Sequence, residues 1–146
     1  MRTPASIANH PIHPMLVSFP IGLWVFSFVC DLIGLMVDEP SAWSTVAFYT
    51  MVGGLVGALC AAIPGFIDYR FYQGGKPPLK RIARMHMTVN LIVVVLYALN
   101  IWLRVDGPSR GAPVVLSALG VALLVLSGWL GGQMVHVYGV GVIDRE

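Results

Sequence analysis

The sequence predicts an all-α fold: four transmembrane helices packed as an antiparallel up-down bundle, with both termini in the cytoplasm. Composition is the first reason. Of the 146 residues 57% are hydrophobic and 11% charged, and the mean hydropathy is +0.78, too apolar for an ordinary soluble domain. The second reason is placement, because the charged residues collect between long apolar runs. The third is the bias of the basic residues across those runs, which sets an orientation.

Crossing about 30 Å of hydrocarbon takes about 20 helical residues, and four segments qualify, about 14–37, 42–67, 82–103 and 113–136. Asp38, Glu39 and Pro40 end the first. The stretch from Asp68 to Arg81, with Gly74, Gly75, Pro77 and Pro78, separates the second from the third. Asp106, Gly107, Pro108, Ser109 and Arg110 form the last turn. Short links between long helices favour mutually antiparallel neighbours. Arg2, Arg70, Lys76, Lys80, Arg81, Arg84 and Arg145 lie on the side of the termini, and only Arg104 and Arg110 lie on the other. That bias predicts a cytoplasmic location for the termini and the central loop, in the inner membrane of a bacterium. Trp43 and Trp102 then fall at the outer interface. Residues 1–146 read as one integral membrane domain, with the bilayer as its main partner and no cleavable signal peptide.

Several chemistries are excluded. No basic patch with interleaved aromatics points to nucleic acid. Cys30 and Cys60 lie inside apolar runs, and there is no CxxC or CxxCH, which argues against a disulfide and a covalently attached haem. GxSxG, P-loop and HExxH patterns are absent as well, so a hydrolase is not expected.

The four histidines fall where apolar segments begin or end. His10 and His13 precede the first span, His86 opens the third, and His136 closes the fourth. All four therefore lie at the cytoplasmic level. Interfacial histidines are ordinary in membrane proteins, so helical spacing has to carry the argument further. On the third span His86, Asn90, Tyr97, Asn100 and Arg104 share one face. His86 and Arg104 differ by 18 residues, about five turns or about 27 Å, and so do His13 and Asp31 on the first span. Trp24 and Ser27 lie between the latter two. Stripes of this kind are costly against lipid, so both should face the interior. Asp31 and Arg104 would then meet as an ion pair near one membrane face, and His13 and His86 near the other.

The second span carries Gly53, Gly57, Ala61 and Gly65, and the fourth carries Gly128 and Gly132 leading to His136. Such runs let helices approach closely, or clear a slot for a flat macrocycle. Imidazoles on facing helices suit haem b, one or two, with Arg81, Arg84 or Arg70 neutralising its propionates. A single copper, zinc or iron ion is the alternative, with Met15, Met85, Met87 and Met134 nearby. His10, His13, His86 and His136 are the candidate ligands, and Asn90 a candidate cofactor contact.

The opening Asn9-His10-Pro11-Ile12-His13-Pro14-Met15-Leu16-Val17, continuing through Phe19-Pro20-Ile21 to Asp31, resembles a bacterial family of four-helix membrane proteins catalogued as domain of unknown function DUF2231. The likeness extends through the glycine-rich second span to Gly65 and Asp68, through His86 and Asn90, and into Gly131-Gly132-Gln133-Met134-Val135-His136-Val137-Tyr138-Gly139-Val140-Gly141-Val142. In that family related sequences are fused to cytochrome c-like or Rieske-like domains, which implies electron transfer. His10, His13 and His86 match the family pattern directly. At the end of the fourth span the family more often has tyrosine where this chain has His136, and histidine where it has Tyr138.

The expectation is a membrane-embedded b-type cytochrome with His13 and His86 as axial ligands and His10 and His136 supporting, working with a redox partner protein and possible homo-oligomer contacts. An ion or proton transporter using Asn90, Tyr97, Asn100, Ser27 and Asp31 as a path is the first alternative. A structural subunit packing its glycine-rich faces against a redox complex is the second.

Overall fold

The computed structural model describes residues 3–38, 41–72, 76–105 and 111–142. A two-stranded hairpin comes first, β1 (Ser6–Ile7) paired antiparallel with β2 (His10–Pro11). Its two-residue turn holds Ala8 at φ 48° and Asn9 at φ 65°, the double positive φ of a tight hairpin turn. The helices follow: α1 (Ile12–Leu16), α2 (Ser18–Met36), α3 (Ser41–Tyr72), α4 (Pro77–Val105) and α5 (Ala112–His136). Taken together, α1 and α2 form one span, so four segments are long and apolar enough to cross a membrane.

Proline placement explains much of the helix punctuation. Pro14 falls in the first turn of α1, where backbone N–H groups lack helical acceptors anyway. Pro20 cannot donate to the Leu16 carbonyl, and the join between α1 and α2 falls one residue after Leu16, at Val17. Pro77 and Pro78 open α4, as prolines do at a first turn. The helices overrun the expected spans. In particular α3 continues to Tyr72, so Asp68 is a buried helical residue and not the start of a loop.

Around the bundle α2 packs against α3 and α5, and α4 likewise packs against α3 and α5. Thus α2 and α4 face each other across the axis. Hydrogen bonds run from Trp24 to Met51, Ser27 to Ala47 and His13 to Ala61, so numbers rise along one helix as they fall along its neighbour. The surface is apolar, with Phe19, Phe26, Leu59, Ile63, Val95, Val125 and Trp129 exposed. Lipid, not water, suits such a surface.

The two halves of the chain repeat one pattern. Asp31 and Arg104 are 73 residues apart, and the same spacing relates His13 to His86, Trp24 to Tyr97 and Ser27 to Asn100. A second common spacing relates Ala47 to Pro113, Gly54 to Gly120, Ala61 to Ser127 and Gly65 to Gly131. Contacts follow both spacings. His13 bonds the Ala61 carbonyl as His86 bonds that of Ser127. Ser27 bonds the Ala47 carbonyl as Asn100 bonds that of Pro113. Trp24 covers Gly54 as Tyr97 covers Gly120. The bundle is therefore two copies of one helical hairpin plan placed face to face.

Candidate functional site

Three layers of paired side chains meet along the axis between α1–α2 and α4. The middle layer is aromatic: Trp24 and Tyr97 stack with ring centroids 4.2 Å apart and planes 3° from parallel. Met51, Val93 and Leu124 surround them. The Trp24 indole N–H donates to the Met51 carbonyl at 3.1 Å. The Tyr97 hydroxyl is buried and has no partner among the described residues.

At one end Asp31 and Arg104 form a bidentate ion pair, with Nη1 to Oδ1 and Nη2 to Oδ2 both at 2.7 Å. Ser117 Oγ donates to Asp31 Oδ2 at 2.8 Å, and Arg104 Nε donates to Asn100 Oδ1 at 2.9 Å. Asn100 Nδ2 in turn donates to Ser117 Oγ and to the Pro113 carbonyl, each at 2.9 Å. Every charge in this cluster is matched, which a buried ion pair requires if it is not to weaken the fold. It fastens three helices and offers no obvious reactive group.

The opposite end, which carries both termini, brings His13 and His86 together. Their ring centroids are 6.3 Å apart and their planes 89° to each other. The bundle positions each ring in the same way. A carbonyl oxygen can only accept, so the proton of each ring lies on Nδ1: His13 donates to Ala61 O at 2.8 Å and His86 to Ser127 O at 3.0 Å. Gly65 makes room for the first ring, since a Cβ there would come within 2.7 Å of His13 Nδ1. Gly131 lies under the second, with a hypothetical Cβ 3.4 Å from His86 Cε1. These two glycines seat the imidazoles, whereas a Cβ at Gly128 or Gly132, the glycines leading to His136, would meet nothing within 4 Å.

Fixing Nδ1–H on a backbone carbonyl leaves Nε2 unprotonated, the state in which histidine binds a metal. Two imidazoles on opposite sides of one ion, bonded at about 2 Å, place their ring centres about 6 Å apart. The observed 6.3 Å is a separation of that size, while His86 Nε2 accepts from Asn90. One competitor is present. Asn90 Nδ2 donates to His86 Nε2 at 3.1 Å and to His86 O at 2.9 Å, while Ser127 Oγ donates to Asn90 Oδ1 at 3.0 Å. A metal on His86 requires that amide to release Nε2, and its other two bonds remain to hold it. No cluster of three or more His, Cys, Asp or Glu side chains suited to a metal ion occurs among the described residues, so the protein donor set here is two imidazoles.

Residues 9–144, nearly the whole chain, fit the profile of a family described as predicted membrane protein (DUF2231). The chain belongs to that family. No curated protein and no solved structure matches it.

The remaining candidate residues of this DUF2231 protein lie elsewhere. His10 is exposed in the hairpin, where its Nδ1 donates to the Ala8 carbonyl at 2.9 Å. His136 is exposed at the last residue of α5. Arg70, Arg81 and Arg84 are exposed at the same end, but Arg84 sits two residues before His86 and so about 200° around the helix from it. Arg81 lines a groove between α4 and α5. Asp38 is exposed, while Glu39, Pro40, Gly74, Gly75, residues 106–110 and Arg145 lie outside the described residues.

Asp68 is the residue that sequence reasoning passed over. It is 4% exposed, and its Oδ1 accepts the Ala5 N–H at 3.0 Å, tying the N-terminal hairpin down beside His13. From the other terminus, Gly139 at φ 63° turns the chain after α5, and Val140 packs against Leu79 and Ala83. Gly141 follows at φ 76°, where a Cβ would lie 3.0 Å from Pro11 Cγ. Hairpin and C-terminal turn thus close the bundle beside the histidine pair.

Proposed function

We propose that the protein is a membrane-embedded b-type cytochrome with one haem, whose axial ligands are His13 and His86, placed at the cytoplasmic side of a bacterial inner membrane. The single observation that carries this reading is the pair of imidazoles whose ring centres lie 6.3 Å apart, each oriented through Nδ1 by a backbone carbonyl. When bound, the haem supplies one-electron chemistry, and its potential follows axial ligation and the polarity of its surroundings.

The chain's own residues supply the rest. Ala61 and Ser127 carbonyls hold the rings and raise their basicity as ligands. Gly65 and Gly131 let both rings sit deep between helices. The hairpin held by Asp68 and the turn at Gly139 restrict water at this end. Asn90 and Ser127 set the state of His86 while Nε2 is unligated. One pair of rings meets, which supports one haem over two and leaves His10 and His136 without a ligand role.

The transporter reading has less support. Its polar residues divide into two clusters, and the Trp24–Tyr97 stack with Met51, Val93 and Leu124 fills the axis between them. An ion path would have to cross that apolar layer, at a cost of several kcal/mol for a charge.

Absorption spectra test the proposal. Protein purified in detergent from cells supplied with haem precursor is expected to show a Soret band and visible bands that sharpen with dithionite. His13→Ala and His86→Ala should each remove the six-coordinate spectrum. A colourless wild-type preparation with normal folding overturns the reading.

A further inference from the structure

We propose that the groove between the start of α4 and the second half of α5 binds one anionic phospholipid, with the phosphate on Arg81 and an acyl chain along Ile82, Met85 and Leu130. The groove measures about 530 Å³, a size that accepts a small organic ligand. Its two ends differ in chemistry. Pro77, Pro78 and Arg81 form the outer end near the helix start, Ile82, Met85 and Leu130 form the apolar floor, and the Gln133 amide adds one polar group.

Charge decides the class of lipid. Arg81 is exposed and has no carboxylate among the described residues, where the ion pair is Asp31–Arg104. The sequence contains no acidic residue from Tyr69 to Val105, while Arg70, Lys76, Lys80, Arg81 and Arg84 all fall within it. The start of α4 adds its own positive dipole end to this field. A phosphate that keeps its negative charge is favoured there over a zwitterionic head group. The apolar floor beneath it favours a lipid over a free anion. This end of the bundle is also the one that the basic residues place at the cytoplasmic face, where anionic lipids attract basic groups.

Native mass spectrometry of the full chain, released from mixed micelles, tests the assignment. Phosphatidylglycerol, phosphatidylcholine and inorganic phosphate are offered separately. Wild type is expected to retain one phosphatidylglycerol, with phosphatidylcholine and phosphate held at least about fivefold more weakly, the effect of roughly one basic contact. Arg81→Gln should lower phosphatidylglycerol retention about fivefold, Arg81→Lys should restore most of it, and Arg84→Gln should change it less than twofold. Met85→Trp, which fills the floor without touching charge, should also release the lipid. Circular dichroism of each variant separates loss of lipid from loss of fold. Equal retention of the two lipids overturns the proposal. So does unchanged retention in both Arg81→Gln and Met85→Trp, or phosphate binding as tight as the lipid's.

Discussion

Adding one methyl group at Gly65 tests how the histidine pair is seated. In Gly65→Ala the new Cβ would stand 2.7 Å from His13 Nδ1, 2.8 Å from Cε1 and 3.3 Å from Cγ. The ring cannot absorb this by rotating freely, because its Nδ1 is bonded to Ala61 O at 2.8 Å. Overpacking of this kind costs about 1–3 kcal/mol. Displacing the ring breaks the bond to Ala61 and leaves a half-buried donor unmatched, at about another 1–3 kcal/mol. Replacing a helical glycine returns about 0.5–1 kcal/mol, so the expected net loss is about 1–5 kcal/mol. The equivalent change in the second hairpin, Gly131→Ala, puts its Cβ at 3.4 Å from His86 Cε1, an ordinary contact. Removing a helical glycine returns about 0.5–1 kcal/mol there, so that variant should be near neutral. Reversible unfolding in mixed micelles, followed by circular dichroism, measures both. The two variants should differ by on the order of 2 kcal/mol or more, from the sums just given. Equal stability would refute the idea that Gly65 exists to admit the His13 ring.

Other outcomes follow from the same contacts. Asp31→Asn leaves Arg104 charged and unpaired and should cost about 3–5 kcal/mol, and adding Arg104→Gln should recover part of it in a double-mutant cycle. Tyr97→Phe removes a buried hydroxyl that has no partner among the described residues, so stability should hold or rise by about 1 kcal/mol; a loss of that size instead would reveal a partner. Asp68→Ala deletes the acceptor of the Ala5 N–H, and hydrogen exchange should speed up across β1 and β2 while the helices stay protected. His10→Ala and His136→Ala, both at exposed positions, should leave the absorption spectrum of a haem-loaded sample unchanged.

The four spans could be read from the sequence because hydropathy and length decide them almost alone. The twin 18-residue spacings, His13 to Asp31 and His86 to Arg104, also fixed which faces would turn inward, since polar groups have nowhere else to go in lipid. What spacing could not give was contact across helices. The Ala61 and Ser127 carbonyls carry no side-chain signal, and a main-chain acceptor becomes visible only once two helices are in register. Gly65 was noticed for its place in a small-residue run, but its use depends on which ring lies over it. Asp68 was read as a loop boundary because a carboxylate at a span end usually is one. The structure buries it under the hairpin instead, a feature too short to leave any periodicity. The common spacing relating the two hairpins was present in the sequence. Its clearest carriers, Gly54 with Gly120 and Gly65 with Gly131, are glycines that pair only through their aromatic or imidazole partners.

Electron paramagnetic resonance of the oxidised protein, purified from haem-supplied cells, bears most directly on the central claim. Two neutral imidazoles on one ferric ion give a low-spin signal. With planes 89° apart, as His13 and His86 stand here, that signal should have the single strongly shifted feature of perpendicular ligands. It should vanish in His13→Ala and in His86→Ala. A high-spin signal, a low-spin signal that survives both substitutions, or no haem signal at all would contradict a centre built on these two rings.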